Sequence, residues 1–290
     1  MTRSVASADG RVLSVREAGD PEGLPLLYMA GTPGSSLLYE PHIQDAESRG
    51  IRLISYDRPG YGSSSRDKTR RVVDCVADVA AVCDALGVER CFVAGTSGGG
   101  PHALAAAALL PELIAAVAVL ASVAPFDGDG LDFYAGMGEQ NVEEFRAAVD
   151  GEEALRAVVE RQRTELLAST PGRLVEAWHT LLGPADRRVA TSTFASFVLE
   201  HVRAGIASSA DGWIDDDVAF VTDWGFDPAA IRVPVLVWQG EQDRFVPYGH
   251  GVWLAEHIPG VDARLSPDDG HMTLAQRRIP AVHRWLLDQL

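Results

Sequence analysis

The stretch Cys91-Phe92-Val93-Ala94-Gly95-Thr96-Ser97-Gly98-Gly99-Gly100-Pro101-His102-Ala103-Leu104-Ala105 decides how the chain is read. An apolar run ends in one serine set among four glycines, and an alanine-rich run follows. Glycine weakens helices and strands alike, so such a cluster serves a tight bend or a close backbone approach. Gly95-Thr96-Ser97-Gly98-Gly99 fits G-x-S-x-G between a strand and a helix, with Pro101 suited to the first helical turn. A strand that turns sharply into a helix strains the residue at its tip and needs small neighbours. The serine hydroxyl then projects above the sheet, near free N–H groups and the positive helix end. A flexible turn is the plain alternative. A phosphate loop is not favoured, since no lysine follows at the Walker spacing.

Outward from this point, apolar runs alternate with helical patterns. PLLYMAG, IRLISYD, RCFVAG, AAVAVLAS and VPVLVWQG read as strands buried on both faces of a parallel sheet, and RVLSVREAG as a half-exposed strand. Between them, Val72, Val76, Val79 and Val82 form a helical stripe closed by glycine. The expected fold class is α/β, a mostly parallel central sheet flanked by helices. The strand pattern lapses from about Pro125 to Trp224, where VEEFRAAVDG, EEALRAVVERQRTELLAST, GRLVEAWHTLL and TFASFVLEHVRAGIA read as amphipathic helices. The expected organisation is therefore a core of residues 1–124 and 225–290 with a helical cap, 125–224, inserted in it.

A serine nucleophile needs a base, and the base an orienting acid. On this architecture the chain order is serine, acid, histidine, each at a strand end. His271 lies in a Gly-His turn after a last short strand, ARLSPDD, and before the terminal helix. His250 and His257 read as helix positions, and His102 as helix packing. Asp243 follows VPVLVWQGEQ and precedes Phe245-Val246-Pro247; its competitors are Glu241 and Asp127. The glycine-bearing loop AGTPGSS places Thr32 to donate one oxyanion N–H, and Gly98 follows the serine to donate the other. The expected site is thus Ser97, Asp243 and His271, with Thr32 and Gly98 as the oxyanion hole. Asp215, Asp216 and Asp217 are adjacent and read as a solvated loop; Asp268 and Asp269 read as turn residues or a solvated pair.

These pieces together resemble the α/β-hydrolase superfamily, in its serine esterase-like branch with a helical cap. The matching segments are AGTPGSS, SYDRPGYGSS, AGTSGGGPHALA, VPVLVWQGEQDRFVP and DDGHMTL, and their joint order is more specific than any one. The resemblance implies that Asp57 to Ser64 form a turn that buttresses the elbow and the oxyanion loop. It also marks a departure: the family often has His-Gly where this chain has Ala30-Gly31, so support for that loop must come from elsewhere. Relatives that open epoxides or remove halide use aspartate where this chain has Ser97.

The expected activity is hydrolysis of a small or medium carboxylic ester through an acyl-enzyme, with no metal and no cofactor. Two alternatives stay open. One is cleavage of an amide, an aminoacyl peptide or a carbon–carbon bond by the same residues. The other is a ligand-binding, receptor-like protein with little turnover. The cap is rich in large apolar side chains, and Phe133, Trp178 and Trp213 are the candidates to line a substrate pocket. The expected partner is a small molecule with an apolar part.

The bulk properties agree. The 290 residues are 47% hydrophobic and 23% charged, with a net charge of −16. A nucleic-acid binder would show a basic face, and an acidic membrane surface would repel this chain. The N-terminal stretch has no apolar signal-like core, so the expected location is cytoplasmic. The longest apolar segment is broken by Pro111 and Glu112. Three cysteines, Cys75, Cys83 and Cys91, match no zinc spacing. They read as small buried hydrophobes.

Overall fold

The computed structural model describes residues 1–190 and 193–290. Eight strands form one sheet in the order β1-β2-β4-β3-β5-β6-β7-β8. They are β1 Thr2–Ala6, β2 Val12–Gly19, β3 Leu24–Met29, β4 Ile51–Tyr56, β5 Cys91–Thr96, β6 Ile114–Leu120, β7 Val235–Gly240 and β8 Asp262–Ser266. The first two pairings, β1 with β2 and β2 with β4, are antiparallel, and all later ones are parallel. The α/β class expected from the apolar runs is the one found. Strand β1 was not anticipated, because TRSVA is short, mostly exposed and has no continuous apolar character.

Burial explains why the central strands read as unbroken apolar runs. All six residues of β5 and of β7 are buried. Side chains alternate between faces. Leu27, Val93 and Val237 pack on one side with α2 (Cys75–Ala85), α3 (Gly99–Leu109) and α10 (Tyr248–His257). Leu26, Phe92, Ala94 and Leu236 pack on the other with α1 (Glu40–Ser48) and α12 (Ile279–Leu287). The three cysteines are buried and free, with Cys83 Sγ 4.0 Å from Cys91 Sγ.

Between β6 and β7 the described residues hold helices and no strand: α4 (Glu139–Asp150), α5 (Glu152–Ala168), the short α6 (Leu174–Ala177) and α7 (Pro184–Arg187), α8 (Thr193–Ile206) and α9 (Asp211–Val221). They carry a hydrophobic cluster of their own, including Leu155, Leu182, Leu199 and Ile214. Helix α9 corrects the sequence reading. Asp215, Asp216 and Asp217 lie on this helix and all three are buried, each facing a different environment. Three adjacent acids look like a solvated loop only while their partners, distant in sequence, are unseen. Asp269 is likewise buried, in an ion pair with Arg278. No helix among the described residues is long and apolar enough to cross a membrane.

Candidate active site

Strand β5 hands over to α3 through two residues, Ser97 and Gly98, and Ser97 holds a left-handed φ of 55°. A non-glycine residue in that region is strained, and such strain concentrates at functional turns. The surrounding glycines make the turn possible. A Cβ on Gly99 would lie 2.1 Å from the Met29 carbonyl oxygen, and one on Gly95 would lie 2.4 Å from that of Gly99. Helix α3 begins at Gly99, two residues before the proline that signalled it. Its N-terminus therefore abuts Ser97. Gly98 touches Thr32, whose Oγ1 would lie 2.3 Å from a Cβ on Gly98. The two residues proposed to supply oxyanion N–H groups are thus side by side, from different strand ends.

His271 is the first residue of α11 (His271–Arg277). Its Nδ1 lies 2.8 Å from Asp243 Oδ2. Asp243 is the carboxylate the histidine meets, rather than Glu241 or Asp127. Its side chain is fully buried. The backbone N–H groups of Phe245 and Val246 both donate to Oδ1 at 2.9 Å, and Gln239 Nε2 donates to Oδ2 at 3.2 Å. The tight turn after Asp243 thus fixes the acid before the histidine arrives. Phe245 stacks on the His271 ring, with centroids 4.7 Å apart. Burial alone would lower the histidine pKa, but the Asp243 carboxylate, by charge and hydrogen bond, leaves it raised above 6.5.

A second acid sits against this histidine, and the sequence reading did not find it. Asp186, on α7 in the inserted helices, accepts from the backbone N–H of His271 at 2.8 Å and of Thr273 at 3.0 Å. It caps the N-terminus of α11 from across the molecule. Burial first, and the nearby Asp243 charge second, push its pKa up to about 6. No local signal marks this residue, since a cap that comes from 85 positions away leaves no capping motif in the sequence.

The missing histidine at Ala30 is answered by Arg58. Its guanidinium donates to the Ala30 carbonyl oxygen, to Thr32 Oγ1 at 3.0 Å and to Asp216 Oδ2 at 2.5 Å. Asp216 Oδ2 also accepts from Thr32 Oγ1 at 2.6 Å and Tyr61 Oη at 2.8 Å, and Arg70 meets Oδ1 at 2.7 Å. Burial would raise the Asp216 pKa, but Arg58 and Arg70 outweigh it and hold the carboxyl below the usual carboxylate range. The Asp57–Ser64 turn contacts the loop that carries Thr32: Asp57 Oδ1 accepts from Ser36 N at 2.5 Å, and Arg58 extends from the same turn. His102 is buried on α3, its Nδ1 2.9 Å from the Gly98 carbonyl oxygen, in a packing role. His250 is also buried, on α10.

Ser97, Gly98, Thr32 and His271 line one cavity beneath the inserted helices. Trp178 and Trp213 line it too. Phe133 does not. It is packed between Phe145 and His250, at centroid distances of 5.1 and 4.7 Å, in the seam between the inserted helices and the sheet. Large size alone did not separate a seam residue from a pocket residue. Phe194, Phe197 and Phe245 line the cavity as well. Among the described residues, no group of three or more His, Cys, Asp or Glu side chains is placed to hold a metal ion.

The fold and the site define a class of protein, the α/β hydrolases. Residues 25–277 match the model of the alpha/beta hydrolase fold family, and the chain belongs to that family. It is 31% identical over 252 residues to RutD of Azorhizobium caulinodans, named as a candidate carbamate hydrolase; the match covers 85% of this chain and 83% of that one. It is 27% identical over 256 residues to a non-heme chloroperoxidase of Streptomyces lividans, covering 84% and 83%. Among solved structures, a thermophilic esterase from Thermogutta terrifontis superposes with a TM-score of 0.70 at 22% identity, over 100% of this chain and 99% of that one.

Proposed function

We propose that this hydrolase cleaves small or medium carboxylic esters through an acyl-enzyme on Ser97. The observation that carries the reading is the strained Ser97 turn opening on the same cavity as a histidine held by a buried aspartate. Asp243 occupies Nδ1 of His271, which leaves Nε2 to act as the base. Ser97 Oγ attacks the ester carbonyl while His271 takes its proton. The negative oxygen is stabilised by the N–H groups of Thr32 and Gly98, each such donor contributing roughly 3 kcal/mol to barrier lowering. The C–O bond breaks and the alcohol leaves with the proton from His271. Water then attacks the acyl-serine by the same route, releasing the acid and restoring Ser97. Residues 125–224 serve as the cap that closes the acyl pocket, and the protein works in the cytoplasm on a small molecule with an apolar part.

The test is hydrolysis of short-chain p-nitrophenyl esters together with labelling by a fluorophosphonate probe. Wild type is expected to turn over and to label at Ser97. Ser97→Ala is expected to lose labelling and to fall by at least about a thousandfold in kcat, the scale of a lost nucleophile. Turnover that survives in Ser97→Ala would sink the acyl-enzyme reading.

A further inference from the structure

Two carboxyl groups in the roof of the cavity have no countercharge. Glu144 projects from α4 and Asp217 from α9, and both line the same cavity as Ser97 and His271. Asp217 is 1% exposed and Glu144 6%. The two face each other at hydrogen-bonding range. Trp213 Nε1 donates to Glu144 Oε1 at 3.0 Å. Asp217 Oδ2 has no hydrogen-bond partner, although it is buried. Among the described residues, no lysine or arginine lines the cavity.

The neighbouring acids on α9 show how unusual this is. Asp215 is paired with Arg66, and Asp216 with Arg58 and Arg70. Only the acid that faces the cavity lacks a cation among these three. Burying a carboxylate without a paired charge is costly, and removing an unpaired acid from a core normally stabilises it. Burial and the Glu144 charge accordingly push Asp217 well above the usual carboxylate range. A positive group in the cavity would supply the countercharge that the pair lacks.

The shared cavity says where that positive group would sit. Phe220 Cζ would lie 2.9 Å from a Cβ on Gly98, so the Phe220 ring of α9 reaches the turn that carries Ser97. Asp217 is three residues earlier, about one helical turn away. A cation held by Asp217 would share this cavity with a carbonyl seated at Ser97.

We propose that Glu144 and Asp217 form a recognition site for a substrate ammonium group in the same cavity as Ser97, so that the preferred substrates are amine-bearing acyl compounds such as amino-acyl esters or amides. This deepens the serine-hydrolase reading and rests on it. Trp213, Phe145 and Phe220 would surround the apolar part of the acyl group. The ammonium donates hydrogen bonds to Asp217 and Glu144, and no covalent step is added to those at Ser97.

The test compares phenylalanine ethyl ester with ethyl 3-phenylpropionate, which differs only in lacking the amine. An α-ammonium group activates an ester carbonyl on its own, so the readout is the ratio of the two kcat/KM values in wild type against the same ratio in Asp217→Asn and Glu144→Gln. The ratio is expected to fall by about tenfold or more in each variant, as for loss of a buried charge pair. An unchanged ratio overturns the proposal. Where a variant does not fold, the wild type carries the test: 2-phenylethylamine should inhibit turnover of the neutral ester far better than 2-phenylethanol, and equal inhibition overturns the proposal. If wild type cleaves only the neutral ester, the ammonium site fails while the hydrolase reading stands. If it cleaves neither ester and takes no fluorophosphonate label, the hydrolase reading fails, and the ammonium site with it.

Discussion

At the scale of single residues, the site is built around one histidine held from two sides. Asp243 takes Nδ1, and Asp186 takes the backbone N–H. In the proposed mechanism His271 must be neutral to act as a base. Its raised pKa places the acid limb of kcat/KM for a neutral ester above pH 6.5. The charge on Asp186 contributes to that rise, so Asp186→Asn is expected to move the limb to lower pH; a limb that stays in place would show the two groups to be uncoupled. Asp186 also affects stability with a defined sign. Its folded pKa of about 6 exceeds the ordinary 3.8. Between these values the folded state holds a proton that the unfolded chain has released, so this group favours folding more as pH falls from about 6 towards 3.8. The His271–Asp243 contact and the Ser97 turn were legible in the sequence, because each of these residues stands at a strand end with its own local pattern. Asp186 was not, because its function is a contact between distant segments.

At the scale of elements, the β5–α3 turn depends on backbone packed against backbone. Gly99→Ala would thrust a methyl group into the Met29 and Ala30 carbonyl oxygens, at 2.1 and 2.6 Å. Neither oxygen sits at the end of a flexible side chain, so strand or helix must shift. The expected loss is about 1–3 kcal/mol in a denaturant titration, with reduced turnover in the protein that folds. Gly172→Ala is the control, since nothing lies within 4 Å of a Cβ there. The sheet was readable for a related reason: strands buried on both faces leave continuous apolar runs. The exposed edge strand β1 leaves none. Helix α9 escaped notice because its acids obscure its apolar stripe, although Trp213, Ile214 and Phe220 are all buried on it.

At the scale of the whole molecule, the inserted helices and the sheet are joined through charge. Asp216 bridges Arg58, Arg70, Tyr61 and Thr32, all of which belong to the core. Asp216→Asn would leave two buried guanidinium groups without a countercharge, at about 3–5 kcal/mol. The loss is measured as a shift in denaturant midpoint, and a shift near zero would show that the arginines find other partners. The sign with pH is opposite to that of Asp186. The folded pKa of Asp216 is depressed, so its contribution is complete above the ordinary value of 3.8 and is lost as pH falls below it.

The double attachment has a consequence for exchanging modules between enzymes. The segment between β6 and β7 supplies Asp186 to the helix that begins at His271 and Asp216 to Thr32 in the loop after β3. A transplanted segment with a well-shaped pocket but lacking either aspartate would leave the recipient core with an uncapped helix or two orphaned arginines. A graft onto this core, or from it, has to transfer both acids along with the pocket.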